Sequence, residues 1–179
     1  IMGTWRNWVF NLLPFADRYH VIAVDLPGFG LSEMPVGEFS IEHYADVIKE
    51  FSEKLGLGKI TLIGNSMGGQ VSTIVAKKTP EILEKVILVD PAGFSTSNSR
   101  LRKLAPYVKY INWIFALGVV LRKVIAGNRW LAAAFTKIVL WKPMNVSSEL
   151  ILVLLAGIGK PGFVPAVHTI TRTPVKDFP

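Results

Sequence analysis

A serine flanked by glycines two residues to either side opens the chemistry of this 179-residue chain: Gly64-Asn65-Ser66-Met67-Gly68. The apolar run Ile60 to Ile63 precedes it and a helical pattern comes after it, so the G-x-S-x-G spacing falls at a strand-to-helix turn, the setting of a nucleophile elbow. A serine presented on such a turn is strained, and Gly64 and Gly68 are expected to be glycine because a side chain would clash with the backbone. Free N–H groups at the start of the next helix offer partial positive charge to a developing oxyanion. Gly69 extends the stretch and lets helix pack closely on strand. The chemistry this predicts is nucleophilic attack by the Ser66 hydroxyl on a carbonyl carbon.

Two nucleotide-binding readings of the glycines fail on specific residues. A phosphate-binding G-x-x-x-x-G-K-[ST] loop begun at Gly64 would need a lysine and a hydroxyl where Gln70 and Val71 stand. A G-x-G-x-x-G fingerprint begun at Gly28-Phe29-Gly30 meets Glu33 at its third glycine. The chain has no cysteine, which excludes a disulfide scaffold, a thiolate zinc site and a cysteine nucleophile. No metal or organic cofactor is implied.

The elements that must position Ser66 are legible around it. Val21 to Asp25, Ile60 to Asn65 and Val86 to Asp90 are β-branched runs bounded by turn residues, expected as parallel strands buried on both faces. Ile41, Tyr44, Ala45, Ile48, Phe51 and Leu55 recur at helical spacing, with Ser40 as N-cap and Gly56 as terminator. A second helix is expected from Ser66 to the Lys77-Lys78-Thr79-Pro80 stop. Strand and helix alternate as in an open α/β sheet.

The second half differs. Residues 1–90 hold 8 basic and 11 acidic side chains, whereas residues 91–179 hold 12 and 2. Between Asp90 and Glu149 no acidic residue occurs against nine basic ones. From Leu101 the composition is helical and rich in Leu, Ile, Val, Ala and Trp. The longest apolar run, Trp113 to Leu121, is about half of a membrane span. No basic, apolar and small-residue leader is visible, so a cytoplasmic protein is expected, with peripheral membrane contact open.

DLPGFGLSE (Asp25 to Glu33), IGNSMGG (Ile63 to Gly69) and VILVDPAGF (Val86 to Phe94), about 40 residues before and about 20 after the serine, together resemble the α/β-hydrolase superfamily. The opening Met2 to Trp8 is similar to the stretch just after that family's His-Gly oxyanion segment. The resemblance implies residues 1–93 as a partial α/β-hydrolase core, a mostly parallel sheet flanked by helices. It implies residues 94–171 as an α-helical cap and residues 172–179 as the start of the return to the core. Carried onto this chain, Ser66 is the acyl-forming nucleophile and the Met67 N–H one oxyanion donor. Ile1, with Met2 as the nearest alternative, is the second. An Asp nucleophile, as in relatives that open epoxides, is excluded by Ser66. GNSMGG resembles the members that hydrolyse carbon–carbon bonds in ring-cleavage products and also occurs among esterases.

The family's triad runs serine, acid, histidine. After Ser66 the acids are Glu81, Glu84, Asp90, Glu149 and Asp177, and the histidine is His168. His168 reads as a cap residue, with catalytic base as its alternative, and Asp90 as a turn residue hydrogen-bonded before Pro91, with triad acid as its alternative. His20, His43 and Ser32 read as structural. The chain is therefore expected to be a fragment lacking the family's acid and base, and to have little hydrolytic activity alone, because a serine without a base stays protonated. The parent's expected reaction is hydrolysis of an ester or similar carbonyl substrate. The rivals are an acyltransferase, a carbon–carbon bond hydrolase and a non-catalytic lipid- or partner-binding protein. The expected substrate is a small ester-like or hydrophobic molecule. The interleaved aromatic and basic residues of the cap read as buried aromatics with a basic outer face, or as a surface for anionic membranes or anionic substrates, and not as a nucleic-acid platform.

Overall fold

The computed structural model describes residues 4–34 and 40–93, with Val124, Asn128, Trp130 and Leu131. Residues 40–93 belong to one compact unit, and residues 4–34 and the four later residues to another.

In the second of these units, Thr4 starts a 3-10 turn, Trp5–Trp8, with a reciprocal cap. The Arg6 N–H donates to the Thr4 hydroxyl (3.3 Å), and the Thr4 N–H donates to Asn7 Oδ1 (3.1 Å). Helix α1 (Val9–Ala16) comes next with no buried residue; Phe10 and Leu13 are 75% and 78% exposed. The expected strand Val21–Asp25 enters no ladder among the described residues. A strand exists only against a hydrogen-bonding neighbour, which residue type alone does not supply. Trp130, one of the aromatics interleaved with basic residues in the second half, is 79% exposed. Apolar spacing marks a face but not a partner for it.

Residues 40–93 build the α/β framework that carries Ser66. Helix α2 (Ile41–Lys54) starts where the Ser40 hydroxyl accepts the His43 N–H at 2.9 Å. It ends in a Schellman turn: the Gly56 N–H donates to Glu53 C=O (3.0 Å) and the Leu57 N–H to Ser52 C=O (3.1 Å). Gly56 takes φ 60°, a left-handed conformation that glycine adopts without steric cost. Ile41, Tyr44, Ala45 and Ile48 are buried, whereas Leu55, at the end of the same expected stripe, is exposed. Burial pushes the Tyr44 phenol well above its ordinary range. On the outer face Lys49 pairs with Glu53 at 2.7 Å, and that hydrogen bond raises the lysine's pKa.

Strand β1 (Ile60–Asn65), helix α3 (Met67–Lys78) and strand β2 (Leu83–Val89) form a βαβ unit with the two strands parallel. Leu62 pairs with Val86 and Asn65 with Val89. α3 packs across both strands and α2 packs against α3. Met67, Val71 and Val75 of α3 join the α2 stripe as the core. The small polar residues of α3 are buried too, and their hydroxyls bond back one turn: Ser72 to Gly68 C=O (2.8 Å) and Thr73 to Gly69 C=O (2.9 Å).

The strands were expected to be covered on both faces, and the described residues cover only one. Leu62, Val86 and Leu88 are half-buried, while Ile63, Ile87 and Val89 stay 40%, 45% and 42% exposed. One crossover helix covers one face of the pair, so burial alternates along each strand with the period of the pleat. Among the described residues no helix is long and apolar enough to cross a membrane.

Candidate functional site

Ser66 sits between the end of β1 and the first residue of α3 with φ 52° and ψ −115°. A non-glycine residue there carries strain of about 1–3 kcal/mol and persists only when its surroundings over-determine it. They do so through four backbone hydrogen bonds. The Ser66 N–H donates to Val89 C=O at 3.0 Å, and the Ser66 C=O accepts from the N–H groups of Gly69 (3.0 Å), Gln70 (3.2 Å) and Ala92 (2.9 Å). The end of β2 and the turn after it thus lock the elbow from the side.

A serine at the N-cap of a helix ordinarily accepts a backbone N–H of the first turn with its hydroxyl. Ser66 makes no such bond. The Gly69 N–H, which a capping hydroxyl would take, goes instead to the Ser66 carbonyl. The hydroxyl is therefore released from the structural task that serine most often performs at this position. The N–H groups of Met67 and Gly68 have no hydrogen-bond partner among the described residues, so the first turn of α3 keeps donors available beside Ser66.

The two glycines of the pentapeptide do different work. A Cβ on Gly64 would lie 2.3 Å from Gly68 O and 2.4 Å from Ser72 Oγ, so β1 and α3 approach too closely for any side chain. A Cβ on Gly68 would meet nothing within 4 Å among the described residues. The expectation of a clash at both positions therefore holds at Gly64 alone. Gly69 takes the second close approach, with its Cβ position 2.7 Å from Pro91 Cβ.

Asn65 is exposed at the end of β1, and its side-chain amide donates to Val89 C=O at 3.1 Å. Asp90, expected to hydrogen-bond in the turn before Pro91, bonds no described residue. It is exposed and takes φ 44°, a left-handed conformation that Asp and Asn tolerate better than most side chains. No described histidine hydrogen-bonds Ser66. His43 lies in the first turn of α2 with its ring 6.2 Å from that of Tyr44, and His20 is exposed. Ile1, Met2 and His168 lie outside the described residues, as do residues 94–171, expected as a cap, apart from Val124, Asn128, Trp130 and Leu131. A shallow depression lined by Ser52, Leu57 and Ile82 lies where the strands begin; ligands of open α/β sheets bind at the carboxyl ends, where Ser66 is.

In the unit of residues 4–34, Asp25 organises the Asp25-to-Glu33 segment, a role that its sequence neighbours do not announce. Its carboxylate accepts the N–H groups of Trp5 (2.7 Å) and Leu31 (2.9 Å), and its C=O accepts the Ser32 hydroxyl (2.6 Å). Gly30, at φ 52°, lies so close that a Cβ would sit 1.9 Å from Asp25 Oδ2. The available signal was an acidic residue heading a glycine-rich turn; its bond to Trp5, twenty positions away, leaves no local pattern.

A family model described as alpha/beta hydrolase fold matches residues 1–115. The chain is 39% identical over 98 residues to 2-hydroxy-6-oxo-6-phenylhexa-2,4-dienoate hydrolase of Comamonas testosteroni, covering 54% of this chain and 34% of that protein. It is 34% identical over 108 residues to Epoxide hydrolase 1 of Caenorhabditis elegans, covering 55% and 27%. A thermophilic esterase structure from Thermogutta terrifontis superposes with a TM-score of 0.67 at 26% identity, covering 96% of this chain and 61% of that one. The chain thus spans 34% and 27% of the lengths of these two curated relatives.

Proposed function

Because the chain belongs to the alpha/beta hydrolase fold family, we propose that it is part of a serine hydrolase that cleaves an ester or similar carbonyl substrate through an acyl-serine intermediate. The observation that carries the reading is a serine held in a strained turn, with its hydroxyl engaged in no cap and two N–H groups of the next helix without partners among the described residues. Ser66 Oγ attacks the carbonyl carbon and a base takes its proton. The collapsing tetrahedral intermediate expels the alcohol, which receives that proton, and water then releases the acid from the acyl-serine. The Met67 N–H, with Ile1 as the expected second donor, stabilises the oxyanion. No metal or organic cofactor enters this reaction.

The similarity to an epoxide hydrolase does not extend to an aspartate nucleophile, since the elbow residue of this chain is Ser66. The similarity to a dienoate hydrolase favours carbon–carbon bond cleavage as the second reading, carried by the same serine. The acid and the histidine of the triad are proposed to come from outside these 179 residues, with residues 94–171 as the helical cap. Removing the base from a serine triad costs on the order of a millionfold in turnover. The test is hydrolysis of p-nitrophenyl esters by the intact protein, by its Ser66→Ala variant and by residues 1–179 alone. Turnover by the intact protein only is expected. Full turnover by Ser66→Ala would overturn the nucleophile, and robust Ser66-dependent turnover by residues 1–179 would overturn the external acid and base.

The acid-free stretch from Pro91 to Ser148, with its nine basic residues, supports a further proposal, contact with an anionic membrane surface. Flotation with phosphatidylserine vesicles and not with phosphatidylcholine vesicles is the expected result, and equal partition would count against it.

A further inference from the structure

We infer that Asn65 is a positioning residue for Ser66, its side-chain amide tying the elbow to the end of β2. The inference rests on the serine-nucleophile reading above. Among the described residues, every other hydrogen bond that fixes Ser66 runs between backbone groups, so sequence cannot adjust it; the Asn65 bond is the one made by a side chain. Its geometry is specific. Asn65 and Val89 are register partners at the last step of the parallel pair, and Val89 C=O accepts both the Ser66 N–H and Asn65 Nδ2. Both lone pairs of that carbonyl are thereby occupied by consecutive residues of the elbow. A carbonyl can only accept, so the amide nitrogen of Asn65 must face it.

The consequence is a constraint on where Ser66 stands. The strained φ and ψ of Ser66 relax if the chain end of β1 can rock away from β2, a motion that the Ser66 N–H bond to Val89 C=O and the Ala92 N–H bond to Ser66 C=O already oppose. The bond from Asn65 to the same Val89 oxygen adds a third tie, from the adjacent residue, and narrows that freedom further. Since Asn65 is exposed, the bond contributes little to the core, and its value lies in holding the attacking oxygen in place.

The measurement is the rate at which an alkyl fluorophosphonate labels Ser66 in the intact protein, as Oγ gives its proton to the base and forms the phosphorus–oxygen bond while the phosphorus–fluorine bond breaks and fluoride leaves. Limiting rate, half-saturating probe concentration and melting temperature are read for Asn65→Asp, Asn65→Leu and Asn65→His. Aspartate keeps the shape and loses the donor. Histidine offers Nδ1–H at the position of the amide nitrogen. Asp and Leu are expected to lower the limiting rate by about tenfold to a hundredfold with unchanged half-saturation and melting temperature, and His to restore most of the rate. Wild-type rates in Asp and Leu would overturn the positioning role while Ser66 remains the labelled residue. A loss common to all three variants that tracks a lowered melting temperature would overturn it as well. No labelling of Ser66 in the wild type would instead overturn the serine reading on which it stands.

Discussion

The glycines on either side of Ser66 should respond to the same substitution in opposite ways. At Gly64 a new Cβ lies 2.3 Å from Gly68 O and 2.5 Å from Gly68 C, against backbone that no rotamer change can move. A carbon–oxygen contact needs about 3.2 Å or more, so the first turn of α3 must withdraw from β1 by about 1 Å. Overpacking of that kind costs about 1–3 kcal/mol. At Gly68 the Cβ enters open space in the first turn of a helix, where alanine is favoured over glycine by about 0.5–1 kcal/mol. In a chain of this length 1 kcal/mol moves the melting temperature by about 2–4 °C. Gly64→Ala should therefore lower it by about 2–12 °C, and Gly68→Ala should leave it unchanged or raise it by up to about 4 °C. Thermal unfolding followed by circular dichroism, with urea midpoints as a second measure, separates the two. Equal tolerance at both positions, or a larger loss at Gly68, would refute the assignment of the close approach to Gly64.

Three further outcomes are expected. Ser40→Ala should destabilise the chain by about 1 kcal/mol through loss of the α2 cap, read as a lower urea midpoint with unchanged slope. Gly30→Ala would force the Asp25 carboxylate aside, and faster amide exchange at Trp5 and Leu31 is the signature to look for. Above the ordinary phenol range near 10, the unfolded chain loses the Tyr44 proton while the folded chain keeps it. Folding stability should thus be full below that range and fall as pH rises through and above it, with a smaller fall in Tyr44→Phe.

Local chemistry carried much of this to the level of sequence. Ser40 and Gly56 bound α2, and the Ser66–Pro80 interval bounds α3, because caps and stops act within one turn of themselves. Ile60–Asn65 was legible as a strand for the same reason, although β2 begins three residues before the expected Val86. Features that depend on a partner distant in the chain were not legible. Among the described residues Val21–Asp25 has strand composition without a ladder, Ile63 and Ile87 are apolar and exposed, and Asp25 meets Trp5 across twenty residues. α1 was not legible because Pro14, a residue that ordinarily breaks a helix, stands inside its short span. At the elbow, the pentapeptide was visible as a pattern. The division of labour between Gly64, Gly68 and Gly69 was not, because it depends on how near α3 comes to β1 and to Pro91.

The Ser66 carbonyl collects donors from α3 and from Ala92, a residue beyond the end of β2. That arrangement makes the elbow a late product of folding. Gly69 and Gln70 are close in sequence and can reach Ser66 as soon as α3 winds, whereas Ala92 and Val89 arrive only once the parallel pairing has closed across the whole helix. Parallel closure is the slow, non-local step in a βαβ unit. Before it, only the bonds from Gly69 and Gln70 hold Ser66, without the two made with Val89 and Ala92. A chain that has formed its helices but not its sheet would therefore hold the complete pentapeptide without the fully held turn, and a nascent chain emerging from the ribosome cannot complete that turn until at least Ala92 is free to pair.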